Sequence, residues 1–546
     1  QQLLAVRGTP SAAIVRVPIL DMAWIKRVLD AGAPNIMVPN VRNAQEARDA
    51  VAFTRFAPEG LRGVAGSTRA GNYGRYKDYM ARANDEIGLV VQIESQEALD
   101  NLDEICRVPG VDAVFIGPSD LAASLLTTGA AWATNGMQME GYGPAALGMG
   151  GAAAAYDNGT AAMMNNPATL QLAQPGTRAD IALGVLGPNV SSMGEKSGGT
   201  SYVMPAFGWV RTNDQYSYGV GVFGQGGMGT EYGANGMNAA GTGQPVRSEL
   251  AVGRVIFPLA YKVNSQLNLG ATLDYSWASL DMRMGALFSQ MAGMNPQPTG
   301  QFASMMGAIM QGQMPAPQNV RIDFSNSNDF TGAAKSAGWT GKFGLTYEAS
   351  RTLRLGASYQ MKTHLGDLKT TGDGASLTLG QSLPGQMVIH NFQMPASTTV
   401  GAAWQARPDL MLVADVKRIQ WASVMQNFNM TFISSQGLGT MSFGLPQNWQ
   451  DQTVVALGGA YKANDQLTLR AGYSHSSNPV PDAYVHPLFP AIVKDHCTAG
   501  FGYAIDRHWS LDGALSHAPK VSVVSGMGAP ISHSQTNFQV LLGYRY

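Results

Sequence analysis

The sequence predicts a mainly β protein: a transmembrane antiparallel β-barrel of about 14 strands with an N-terminal hatch, preceded by an incomplete α/β fragment of a β/α-barrel. Three observations predict it. The last residues alternate and end on an aromatic, an aromatic recurs six positions ahead of each of several alternating runs, and composition changes abruptly near Leu125.

At the C-terminus Phe538, Val540, Leu542, Tyr544 and Tyr546 fall on one face and Asn537, Gln539, Gly543 and Arg545 on the other, with Leu541 the one apolar exception. A period of two with one apolar side suits a strand that touches lipid on one face and a polar lumen on the other. The same alternation follows Leu267 and Leu353. Five aromatic-to-apolar steps of six residues precede such runs: Tyr261 to Leu267, Tyr347 to Leu353, Trp404 to Leu410, Tyr461 to Leu467 and Tyr503 to Trp509. Turn formers between them and aromatics beside them are the expected periplasmic rim of a barrel. A soluble β-sandwich is the competing reading, but its strands are usually about five or six residues.

Charged residues make up 13% of the chain, about half the usual fraction. The segment from Gln1 to Leu125 holds 28 of the charges, an ordinary density, whereas the remainder holds 55 of the 65 Gly and 25 of the 28 Met. The shift divides the chain into a fragment 1–125, a junction 126–133, a hatch 134–177 and a barrel 178–546. Within the junction Ala131-Trp132-Ala133 has the small-x-small pattern of a signal-peptide tail. Net charge near zero and the lack of a basic cluster exclude nucleic acid as a partner. Cys106 and Cys497 imply neither a disulfide framework nor a metal site.

In the first segment short β-rich runs alternate with helix-like ones, which argues for roughly five strands in βαβ units. Polar residues gather at the strands' C-terminal ends, where a β/α-barrel carries its chemistry. The runs "VRVP", "LVVQIES" and "VFIGPSDLAASL" resemble the HpcH/HpaI family of class II pyruvate aldolases. By that resemblance Glu94 and Asp120 match the carboxylates that hold a divalent metal, Mg or Mn. Arg16 and Gln92 match catalytic groups contacting a 2-oxo acid, and Gly117, Pro118 and Ser119 match the loop beside its carboxylate. The implied reaction is release of pyruvate and an aldehyde from a 4-hydroxy-2-oxo acid. The family's base His lies upstream of "VRVP", whereas the first His here is His364, and about three strands are wanting. The fragment is therefore expected to be inactive.

Ahead of the first barrel strand, "GYGPAALGMGGA" and "YDNGTAAMMNNPATL" resemble the hatch of the FadL/TodX family of outer-membrane hydrophobic-compound transporters, with Asn166-Pro167-Ala168 as its signature. "SSNPVPD" and the terminal strand resemble its barrel. The resemblance implies a monomeric, cofactor-free barrel in the outer-membrane lipid that passes long-chain fatty acids or aromatic hydrocarbons inward without energy input. It also places Met137 where family members put an apolar residue in an internal ligand pocket. Independently, Asp281 to Pro315 is read as an extracellular loop whose Met282, Met284, Phe288, Met291, Met305, Met306 and Met310 suit capture of apolar ligands. The aldolase family is cytoplasmic, so the junction near Leu125 reads as a gene-fusion or sequence-assembly joint.

Overall fold

Every long C-terminal strand pairs with a neighbour on each side, and the sheet closes on itself. The computed structural model describes residues 12–116, 136–327, 331–526 and 528–546. The chain separates into two units, Gln1–Thr127 and Thr128–Tyr546.

In the second unit an antiparallel ring starts with Gly176–Ser192, Tyr202–Thr212, Tyr216–Tyr232, Val246–Lys262 and Leu267–Leu287. It continues through Ala334–Glu348, Leu353–Gln360, Ser397–Arg407, Leu410–Ile419 and Gln452–Lys462. Leu467–Ser476, Asp495–Ala504, Trp509–Val524 and Pro530–Arg545 complete it. The last strand returns to the first, with Phe538 opposite Val185 and Leu542 opposite Ile181. Shorter strands extend this wall, among them Asn319–Phe324, Ala375–Leu379, Gln381–His390, Asn427–Ser434 and Thr440–Pro446. The expected figure of about 14 strands is therefore a correction: the closed sheet holds more than that. Counting alternating runs of about ten residues passes over short strands.

Exposure follows the predicted alternation. Leu273 is 55% exposed between Thr272 and Asp274, the latter 1% exposed, and Phe538 is 46% exposed beside Asn537 at 1%. Apolar side chains point out and polar ones in, the reverse of a soluble sandwich, as a wall between lipid and a polar interior requires. At the rim the six-residue spacing has a local cause. Asn264 Oδ1 accepts from the amides of Gln266 at 2.8 Å and Leu267 at 2.9 Å, Asn464 Oδ1 does the same for Gln466 and Leu467, and Asp506 Oδ1 for His508 and Trp509. Each carboxamide or carboxylate closes a turn that turns one strand into the next. Aromatic pairs flank them, their rings tilted to each other, with Trp509 and Tyr544 at 4.7 Å and Tyr216 and Tyr261 at 5.2 Å between centroids.

The first unit is a parallel sheet of Ile14–Arg16, Asn35–Val38, Gly88–Ile93 and Ala113–Ile116, in that order. Four strands are present among the described residues where the sequence suggested roughly five. The helix Met22–Asp30 is capped by Asp21, whose carboxylate accepts from Trp24 N at 2.9 Å, and Ala44–Thr54 by Asn43. Ile25, Leu29, Ile36, Leu89 and Val91 form the core. Ile14, Phe115 and Ile116, on the sheet's two outer strands, are about half exposed.

A charge placed on the lipid face should be costly at mid-strand. Leu273→Lys is expected to lower unfolding free energy in lipid vesicles by about 2–4 kcal/mol, measured by urea titration, whereas Lys at the rim position Val263 should cost under about 1 kcal/mol.

Candidate functional site

The segment 136–175 fills the barrel and is tied to its inner wall all the way round. It contains one short helix, Pro144–Leu147, and two 3₁₀ turns, Gly159–Met163 and Pro167–Leu172. Asp415 accepts from the Ala153 and Ala154 amides at 2.7 and 2.9 Å, and Asp180 from Thr160 N at 2.9 Å. Thr498 Oγ1 accepts from Gly150 N, and Asn537 donates to Glu140 at 2.9 Å. Asn166 caps the turn Pro167–Leu172 by accepting from Ala168 N at 3.1 Å, while its amide donates to the carbonyls of Ala154 and Leu345. Pro167 sits at the start of that turn, where a missing N–H costs nothing. The Asn-Pro-Ala signature thus cross-links two parts of the hatch to the wall.

Glycines on the inner face let the hatch approach this closely. A Cβ at Gly356 would meet the Ala154 carbonyl, at Gly226 the Met137 carbonyl, at Gly472 the Gly150 amide, and at Gly270 the Ala168 amide. Glycine enrichment in the C-terminal part was visible in the composition, but not its steric purpose.

At hatch level the interior is polar and filled. Arg254 pairs with Asp274 at 2.9 Å, both 1% exposed, and donates to Gln225 Oε1 at 2.8 Å. Tyr142 donates to the Gln225 carbonyl at 2.6 Å, and Lys342 to the carbonyls of Met164 and Asn165. Farther along the strands the lining becomes apolar. Met137, at the start of the described hatch, borders a cavity of about 30 Å³ with Met284, Phe392, Phe428, Trp449, His486 and Phe489. Among the described residues its lining includes neither Lys nor Arg.

Between two strands of the wall the pairing stops short. The strand Tyr202–Thr212 pairs with Tyr216–Tyr232 only from Ala206 and Phe223 to Thr212 and Ser217, and on its other side Tyr216–Tyr232 shifts register against Val246–Lys262 between Gly224 and Gly226. Pro205, at the end of the paired stretch, has no N–H to offer. A second cavity of about 40 Å³ lies against this gap, bordered by hatch residues Met139, Tyr142 and Ala161 and by Met204, Pro205 and Phe223 of the wall.

Among the candidate residues, Met284 joins Met137 at the apolar cavity and Met282 is fully buried. Both stand on the strand Leu267–Leu287, not in the expected loop. The strand extends to Leu287 because it pairs with Asn319–Phe324. Met291 is buried in a 3₁₀ turn, Phe288, Met305 and Met306 pack partly buried against the same apolar cluster, and Met310 is 83% exposed. Sequence reasoning missed Phe392, Phe428, Trp449, His486 and Phe489, which come from irregular segments and short strands without periodicity.

In the first unit Arg16 Nε donates to Gln92 at 2.7 Å, Arg16 pairs with Glu94 at 3.2 Å, and Glu94 also accepts from Asn40 N at 3.1 Å. Gly117, Pro118, Ser119 and Asp120 lie outside the described residues, as does Ala131-Trp132-Ala133. Both Glu94 oxygens are engaged, and the described residues bring no three His, Cys, Asp or Glu side chains together as a metal site.

Residues 121–539 match the outer membrane protein transport protein family, OMPP1/FadL/TodX. The chain belongs to this family. As a FadL/TodX-family member with a closed β-barrel it is an outer-membrane protein of hydrophobic-compound transport. It is similar to the crystal structure of the toluene transporter TodX of P. putida, at 33% identity and a TM-score of 0.66, over 74% of this chain and 99% of that one. The Ralstonia pickettii toluene transporter TbuX is 32% identical with a TM-score of 0.63, again over 74% of this chain and 99% of that one. Residues 1–140 match the HpcH/HpaI aldolase/citrate lyase family. Over 124 residues the chain is 51% identical to the 5-keto-4-deoxy-D-glucarate aldolase of Escherichia coli, covering 23% of this chain and 48% of that protein. The chain thus spans about half the length of the curated relatives it matches.

Asp415→Ala would leave two hatch amides without their acceptor. It is expected to destabilise the docked hatch by about 2 kcal/mol, read as faster hydrogen exchange at Ala153 and Ala154 while the strand amides of the barrel stay protected.

Proposed function

We propose that this FadL/TodX-family barrel carries small neutral aromatic molecules, of the size of toluene, inward through the outer membrane without energy input. The observation that carries this reading is the cavity beside Met137, apolar, rich in aromatic side chains and, among the described residues, bordered by neither Lys nor Arg. A long-chain fatty acid would bring a carboxylate, and a buried charge without a partner is expensive. The names of the similar proteins, toluene transporters, agree with the smaller cargo.

At about 30 Å³ the cavity is closed to such a cargo, since an apolar cavity of about 150 Å³ is what accepts benzene. Met137 is the side chain on the hatch that can yield, because methionine has three rotatable bonds and no branch. Onward passage along the barrel axis would take an apolar molecule past the buried Arg254–Asp274 pair and Lys342. The cavity beside the gap between Pro205 and Gly224 is bordered mostly by apolar side chains and not by Arg254, Asp274 or Lys342, which favours a sideways route. We assign no reaction to the N-terminal unit: Glu94 is committed to Arg16 and the Asn40 amide.

Uptake of radiolabelled toluene by cells with a lipopolysaccharide outer leaflet and no other channel for it tests the reading. Expression of the full chain should raise the initial rate, and Met137→Arg should lower it at least about tenfold, because a cation buried in this lining has no partner. A rate unaffected by expression, or palmitate entering in preference to toluene, would sink the proposal.

A further inference from the structure

Two of the side chains that border the apolar cavity carry N–H donors that a site for pure hydrocarbon does not need. Trp449 is 2% exposed, borders the cavity, and its Nε1 has no hydrogen-bond partner among the described residues. Its neighbour Trp421, whose ring centroid lies 4.9 Å away, is equally buried yet donates from Nε1 to Gln452 Oε1 at 3.2 Å. Of two adjacent buried indoles, the one at the cavity is thus left unpaired.

His486 brings a second donor to the same wall. It stands in the segment 477–494 between two barrel strands, and its Nδ1 accepts from Leu488 N at 3.2 Å. With Nδ1 the acceptor, the proton of the neutral ring resides on Nε2. Burial lowers the His486 pKa to about 4, so the ring is neutral near pH 7. Gln447 adds an amide to the lining. An unpaired buried N–H lowers stability, a cost that an aromatic side chain without an N–H, such as phenylalanine, does not carry.

We propose that the cavity selects neutral apolar molecules bearing one oxygen acceptor, such as aryl ketones or esters, with Trp449 Nε1 and His486 Nε2 as donors to that oxygen, over hydrocarbons of the same shape. The inference rests on the cavity being the cargo site and narrows the class of cargo. Both donors are uncharged, which matches a carbonyl or ether oxygen and not a carboxylate. A site with buried donors discriminates against an analogue lacking the acceptor far more than an apolar site discriminates by size. Bare hydrocarbons would still enter, leaving the donors unpaired.

Acetophenone and ethylbenzene are nearly matched in shape and differ by one carbonyl. Binding of each to the full chain in detergent is measured by titration calorimetry, with each compound's partition into protein-free micelles subtracted. Acetophenone is expected to bind about tenfold more tightly, equivalent to ~1.4 kcal/mol. In Trp449→Phe the ratio should fall to about one, and in His486→Phe to an intermediate value. Equal affinities in the unmodified protein would overturn the selectivity while leaving the cargo site standing. So would a Trp449→Phe variant that keeps the full ratio, as it would if the indole N–H lay against the face of Trp421. Binding of neither compound would overturn the cargo site and this inference with it. Should Trp449→Phe fail to show the mobility change on boiling that marks a folded barrel, the comparison in the unmodified protein still decides.

Discussion

Closure of the sheet between Pro530–Arg545 and Gly176–Ser192 is the constraint on which the rest of this structure depends. Lipid offers nothing to a backbone N–H or C=O, so a β structure can cross a membrane only when it has no open edge. Once the ring is closed, every strand must show one face to hydrocarbon and the other to the lumen. That rule decides where Leu273, Phe538 and Leu542 can stand, and it forces Asp274, Asn537 and Gln539 inward. The low charge content of the C-terminal part and its alternation are two consequences of the same rule.

A closed ring of this size encloses more space than wall side chains fill, and the hatch occupies it. Glycines at Gly226, Gly270, Gly356 and Gly472 bring the two backbones together, and inward polar groups such as Asp415, Thr498 and Asn537 then satisfy the hatch at close range. The same filling places the buried Arg254–Asp274 pair and Lys342 across the lumen. The polar belt that holds the hatch and the interrupted pairing between Pro205 and Gly224 are the two features on which the proposed sideways route rests.

How much was legible follows from the range of each signal. The six-residue steps from Tyr261, Tyr461 and Tyr503 were readable because one Asn or Asp closes each turn locally. Long alternating strands were readable because period two is a property of a single segment. Short strands such as Thr440–Pro446 were not, since they exist only by pairing with neighbours. Met282 and Met284 looked like loop residues until the pairing with Asn319–Phe324 placed them on a strand. In the first unit Arg16, Gln92 and Glu94 come together as strand-end residues of a parallel sheet should.

The sequence by itself determined that one face of each long C-terminal strand is apolar, where the aromatic rim lies, and that the first 125 residues have a different composition. These properties reside in neighbours along the chain. Only the tertiary structure decided how the short strands complete the wall, which glycines receive the hatch, and which side chains meet at the cavity. Met137, Phe392, Trp449 and His486 are far apart in sequence, and no local pattern records a juxtaposition that sheet closure alone creates.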